Sequence, residues 1–278
     1  PIGLALMLEK LAMGIDQVLV SALCSPREFA VFVNGAMEIP FIRMITVPAT
    51  AVVLPELVAF YKNNQKGEAL ELWRKAARKV SVVLLPIGGV LFVIAPELMA
   101  VLYSSEYIES SRPLRIYLLL LPARLIFFGA IFQAAGRTDL ILKRAIGTLV
   151  LNTLVSYPLI YYFGIEGAAW GTVIVFWGYV IPYCLGYCSR LLEVKWFQLM
   201  PYRQVGLMIL MMIVAGVAAT ALQQLLPFEN ALVVAMTTTA MFLVFLGPPF
   251  FLLYRKDLKG YWDTVRHRLG GRGDGMAS

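Results

Sequence analysis

Apolar residues along this chain gather in long runs. A membrane-crossing helix needs about 20 mostly apolar residues, because the hydrocarbon core is about 30 Å thick and each helical residue rises about 1.5 Å. Eight runs meet that length: residues 4–23, 29–61, 76–95, 114–135, 141–163, 167–188, 205–226 and 230–254. The second is too long for one straight crossing and carries Pro40, Pro48 and Pro55, so it is expected to bend and to extend into the cytoplasm near its end. The pattern predicts an all-helical membrane protein of about eight spans. Composition agrees: 60% of the residues are hydrophobic and only 15% charged, and mean hydropathy is +0.76. So few charges cannot supply the polar shell of a soluble fold, and disorder requires the opposite composition.

The net charge of +7 acquires meaning from where the charges fall. The connection holding Lys62, Lys66, Arg74, Lys75, Arg78 and Lys79 belongs in the cytoplasm by the positive-inside rule. Alternate connections then agree: Arg137, Lys143 and Arg144; Arg190, Lys195 and Arg203; and the tail with Arg255, Lys256, Lys259, Arg266, Arg268 and Arg272. The opposite side has only Arg27, Arg112 and Arg115, beside Glu97, Glu106, Glu109, Glu166 and Glu229. Both ends of the chain are expected in the cytoplasm. The basic excess is an orientation signal and an attraction to anionic membrane lipid, so a nucleic-acid partner is not required. Pro1 is not an initiator methionine and runs straight into an apolar helix without a basic lead, which points to a piece of a longer chain.

Ionisable groups inside the runs are the candidates for function, since each costs at least about 2.5–3.5 kcal/mol at bilayer depth. The first run holds Glu9, Lys10 and Asp16, with Glu9 and Asp16 two helical turns apart on one face. The second holds Glu38 and Arg43, and the fourth holds Arg124 just after Pro122. Arg115 lies near the outer end, where it can snorkel. The reading is a polar cavity in which Lys10, Arg43 and Arg124 bind an anionic headgroup while Asp16, Glu38 or Glu9 takes a coupling cation or proton. The alternative is that these charges pair off to hold helices together.

Metal and histidine chemistry find no support. Cys184 and Cys188 stand four apart in an apolar run without the partners of a zinc site, and the single histidine, His267, lies in the basic tail. No cofactor, no metal and no catalytic residues are expected. Gly167 and Gly171 form a small-xxx-small pattern that lets helices approach closely. Gly136 to Asp139 reads as a tight turn, and Gly67 to Lys79 as an amphipathic helix lying in the membrane interface.

Several stretches carry a family likeness. Ile15-Asp16-Gln17-Val18-Leu19-Val20 followed by Ser25-Pro26-Arg27-Glu28 resembles the opening of the second half of polysaccharide-exporting flippases. The segment Pro48 to Tyr61 (PATAVVLPELVAFY), the basic linker ending at Arg78 and Lys79, and the outer loop Leu98 to Tyr107 add to it. So do Phe132 to Thr138 (FQAAGRT) and Phe163 to Thr172 (FGIEGAAWGT). In order, these resemble a polysaccharide biosynthesis protein of the O-antigen flippase type, in the multidrug/oligosaccharidyl-lipid/polysaccharide exporter superfamily.

The resemblance implies two six-helix lobes around an alternating-access cavity. Residues 1–190 would be the second lobe, 191–254 two additional spans, and 255–278 a basic cytoplasmic tail. It implies a transporter, not an enzyme, that flips a polyprenyl-diphosphate-linked oligosaccharide across the bacterial cytoplasmic membrane. Cavity arginines would meet the diphosphate, and Asp16, by its IDQVLV context, would be the cation-binding acid. A glycan polymerase or glycosyltransferases of the same pathway are the implied protein partners. The rival readings are a multidrug or toxin extruder of the same fold, a membrane glycosyltransferase or polymerase, and a membrane scaffold.

Overall fold

The computed structural model describes residues 2–36, 40–124, 128–228 and 230–270, and within these leaves aside the side chains of residues 2, 5, 6, 9, 13, 40–43 and 256–270. Among the described residues there are helices and connections but no strand. Helix α1 runs Ile2–Leu23, and α2, Pro26–Gly35, begins at a capping box. The Ser25 hydroxyl accepts from the Glu28 amide (3.3 Å), the Glu28 carboxylate accepts from the Ser25 amide (2.8 Å), and Pro26 occupies the first turn. The Ser-Pro-Arg-Glu likeness is therefore a helix-start signal. Helix α3, Pro40–Lys62, carries Pro48 and Pro55 inside it.

Helix α4, Lys66–Val93, is continuous. The interfacial helix expected over Gly67 to Lys79 is not separate: its apolar side, Ala69, Leu70, Trp73 and Ala77, is buried in protein, with the Trp73 ring 5.7 Å from that of Phe128. A hydrophobic helix face needs a cover, and here other helices provide it instead of lipid. Helix α5, Ala95–Tyr103, leads through a short turn to α6, Ser111–Leu118, then α7, Leu121–Arg124, and α8, Phe128–Ala134. The fourth span is broken there and bends by 47°. The Arg115 guanidinium donates to the carbonyls of Phe92 (2.9 Å) and Val93 (3.2 Å), capping the C-terminal end of α4.

Helix α9, Thr138–Val175, doubles back at Gly164, whose φ of 59° and ψ of −140° lie outside the reach of other residues. A Cβ at Gly167 would strike the Leu159 carbonyl oxygen, and one at Gly171 the Ser156 hydroxyl. The small-xxx-small reading is correct, and its partner is the preceding arm of the same hairpin. The returning arm passes through a π turn at Phe176–Val180 into α10, Ile181–Leu192. Gly136, at φ 68°, makes the tight turn ahead of α9. Helices α11, Tyr202–Gln223, and α12, Ala231–Gly270, pack on α4, where Gly89 leaves room for Met212 and Phe242.

Five helices among the described residues are long and apolar enough to cross a membrane, six if the bent fourth span is counted. That count takes Thr138–Leu192 as one, although it reverses at Gly164. It also omits α1, which carries Glu9, Lys10 and Asp16. The hydrophobic core lies between α3, α4, α8, α10 and the start of α11, and a smaller cluster of Val20, Phe32, Ile160 and Ala168 joins α1 and α2 to the hairpin.

The bundle has two ends of different charge. At the basic end a Lys66–Glu193 ion pair (2.6 Å) ties the start of α4 to the end of α10, and the hydroxyl of Tyr183, in the first turn of α10, donates to the Leu140 carbonyl near the start of α9 (3.0 Å). At the other end Arg112 pairs with Glu166 (3.1 Å) beside the hairpin turn. Ser104, between α5 and α6, sits at φ 94°, a conformation that suits glycine. Ser104→Gly is expected to raise stability by about 1 kcal/mol, read as a higher thermal midpoint in detergent.

Candidate functional site

Asp16 is the best-formed site in the described structure. It lies about 10 Å along α1 from the acidic end, at 1.5 Å per residue, and is 3% exposed. Its stripe of α1, with Ala12 and Val20, is buried against both arms of the α9 hairpin. Around the carboxylate stand four neutral side chains from three helices. One oxygen accepts from the Asn152 amide (3.0 Å) and the Ser156 hydroxyl (3.2 Å), one turn apart on the first arm. The other accepts from the Tyr117 hydroxyl at the end of α6 (3.2 Å) and from Thr172 on the returning arm. The Asn152 amide also reaches the Ala12 carbonyl (3.5 Å), and its own oxygen lies 3.2 Å from the Ser156 hydroxyl and 3.4 Å from that of Thr172.

The glycines explain why these groups meet. Gly171 lets the returning arm close onto Ser156, which sets Thr172 beside the first arm, and α1 then lays Asp16 into the seam. Chemically the result is a cage of three hydroxyls and one amide nitrogen donating to one carboxylate, with the Asn152 oxygen close by. Among the described residues no lysine or arginine is paired with it. A carboxylate removed from water needs compensation beyond neutral hydrogen bonds. A proton or a monovalent cation satisfies that need, and hydroxyl, amide and carboxylate oxygens are the ligands that hard cations prefer.

The other sequence candidates are dispersed. Lys10 is exposed on the opposite face of α1, in a stripe with Gly3, Leu4, Met7, Leu11, Gln17, Val18 and Ser21. Arg124 ends α7, half-buried, within electrostatic reach of the Tyr117 hydroxyl and so adjacent to the Asp16 cage. Glu38 lies outside the described residues, as do the side chains of Glu9 and Arg43. Cys184 and Cys188 are buried thiols outside any disulfide on one face of α10, and the Arg144 guanidinium donates to the Cys184 sulfur (4.0 Å). Tyr117, Asn152, Ser156 and Thr172 were not anticipated from sequence, because only ionisable residues were weighed. Asn152 and Ser156, four apart in an apolar run, were the available signal.

Residues 2–112 match the family described as polysaccharide biosynthesis protein. Among curated proteins none matches the chain. Among solved structures, the lipid II flippase MurJ in an inward closed conformation has the same fold, with a TM-score of 0.65 at 15% identity. The likeness covers 91% of this chain and 53% of MurJ, so the chain spans about half the length of that flippase. The structural likeness shows the fold of a multi-pass membrane protein, and the sequence likeness to polysaccharide biosynthesis proteins lies in residues 2–112.

Proposed function

We propose that this chain forms one lobe of a transporter that flips a polyprenyl-diphosphate-linked oligosaccharide across the bacterial cytoplasmic membrane for surface-polysaccharide export. The observation that carries the reading is the match of residues 2–112 to polysaccharide biosynthesis proteins in a chain that has a flippase fold. Such proteins move lipid-linked sugars, and the present chain contributes a bundle without an added soluble catalytic unit among its described residues. Residues 1–190 serve as the lobe, 191–254 as two appended spans and 255–278 as the basic tail. The basic end of the bundle faces the cytoplasm, following the positive-inside rule.

Coupling is assigned to Asp16. Its buried carboxylate, held by Tyr117, Asn152, Ser156 and Thr172, takes up a proton or monovalent cation, with Glu9 and Glu38 as further acids of the same path. Lys10, Arg43 and Arg124 engage the diphosphate in the cavity between this lobe and the remainder of the transporter. The exposed stripe of α1 bearing Lys10 is the face available to that other, first lobe. A glycan polymerase or glycosyltransferases acting on the same carrier lipid are the protein partners.

The experiment is complementation of a flippase-deficient strain by the full-length gene, with and without Arg43→Ala plus Arg124→Ala. Restored surface glycan, lost again in the double variant while drug resistance stays unchanged, supports the proposal. Drug resistance that falls in the double variant with glycan intact identifies a multidrug extruder instead. Incorporation of radiolabelled sugar by the purified protein identifies an enzyme.

A further inference from the structure

We infer that the elbow joining α10 to α11, Glu193 to Tyr202, is a docking surface for anionic phospholipid headgroups at the basic end of the bundle. The elbow is preformed. Helix α10 ends with Glu193 in the left-handed region (φ 55°, ψ 38°), the Val194 amide donating to the Ser189 carbonyl (3.0 Å) and the Glu193 amide to that of Arg190 (3.4 Å). That is the paired bonding of a Schellman ending, which turns the chain sharply out of the helix. Lys66 of α4 holds Glu193 from outside, and Leu199 and Met200 plug the far side of the elbow into the core.

What this scaffold leaves outward is unusual for so short a stretch. Trp196 is 60% exposed, Phe197 51% and Tyr202 41%. The three rings are not loose: Trp196 meets Phe197 edge-on at 6.1 Å and Tyr202 at 6.4 Å, and the Tyr202 hydroxyl donates to the Trp196 carbonyl (3.1 Å). Ordering apolar rings against water is unfavourable unless something apolar covers them. Three exposed cations lie within and beside this segment of the chain. Lys195 Nζ lies 5.8 Å from the Phe197 ring centre, the Arg190 guanidinium 5.7 Å from that of Tyr187, and Arg203 follows Tyr202. The one acid of the segment, Glu193, is already held by Lys66, so the patch has a net positive charge.

Rigid amphipathic rings with uncompensated cations beside them in the chain fit one setting, the level where acyl chains meet phosphodiester groups. The rings enter the glycerol and upper acyl region while Arg190, Lys195 and Arg203 meet the phosphates. The inference does not depend on what the protein transports.

The test uses the full-length protein in nanodiscs of phosphatidylcholine, with a fixed fraction of either brominated phosphatidylcholine or brominated phosphatidylglycerol. Subtracting the emission of Trp196→Phe isolates the Trp196 signal. Brominated phosphatidylglycerol is expected to quench Trp196 about threefold more effectively than brominated phosphatidylcholine, the local enrichment that three basic residues give. Arg190→Gln, Lys195→Gln and Arg203→Gln together, all exposed, should equalise the two lipids and leave the thermal midpoint unchanged. Equal quenching by both lipids in the wild type, or no quenching by either, overturns the inference.

Discussion

Asp16→Asn is expected to fold normally and to lose export almost completely, by about 100-fold or more, the scale on which removal of one essential charged group acts. The asparagine side chain has the same shape as the aspartate. It keeps an oxygen to accept from Tyr117, Asn152, Ser156 or Thr172, so the thermal midpoint should move by only a few degrees. What it removes is the negative charge that draws a proton or cation into the cage. Asp16→Ala is a harsher change. It leaves the donors of two buried side chains, Asn152 and Ser156, and two half-buried ones, Tyr117 and Thr172, facing an empty site, and each unsatisfied buried donor costs about 1–3 kcal/mol. That variant should lose both stability and transport. Surface glycan in the complemented strain, uptake of the lipid-linked sugar into proteoliposomes, and melting of the purified protein separate the two effects. Wild-type transport by the folded Asp16→Asn protein would remove the coupling assignment and leave the flippase proposal on family and fold.

The second large effect is expected at the hairpin. Gly167→Val places a branched side chain where even a single carbon would strike the Leu159 carbonyl. Backbone cannot rotate aside as a side chain can, so the two arms of α9 must separate. The expected loss is about 3 kcal/mol or more, read as a fall in the fraction of monodisperse folded protein after extraction. Gly171→Ala should behave differently. Its added methyl would meet the Ser156 hydroxyl, a group free to rotate but needed by Asp16. The protein should fold, with export reduced about tenfold through displacement of one donor. If Gly167→Val melted like the wild type, the close approach of the arms would be wrong.

Much of this architecture can be read in the runs of apolar residues, because the bilayer imposes a minimum length that irregular sequence cannot mimic. The proline-interrupted second run divides into α2 and α3, and the glycine pair marks a close contact. The cage around Asp16 was legible only at its centre. An ionisable residue announces itself by its transfer cost, whereas Tyr117, Asn152, Ser156 and Thr172 are each unremarked polar residues in apolar company. Their meeting depends on a reversal at Gly164 that brings positions far apart in sequence to one point. The amphipathic start of α4 was misplaced for a related reason: a hydrophobic face does not state whether protein or lipid will cover it. The partners of Arg115, the last carbonyls of α4, carry no signature in any side chain.

The hairpin has one more bearing on how such a bundle could work. Asp16 rides on α1, while its contacts come from α6 and from both arms of α9, so the acid is a peg shared by parts that need not move as one. Sliding α1 along the hairpin by a single turn would withdraw the peg from its socket. All four donors would then lose their shared acceptor at once, so any such displacement is tied energetically to the charge on that one carboxylate.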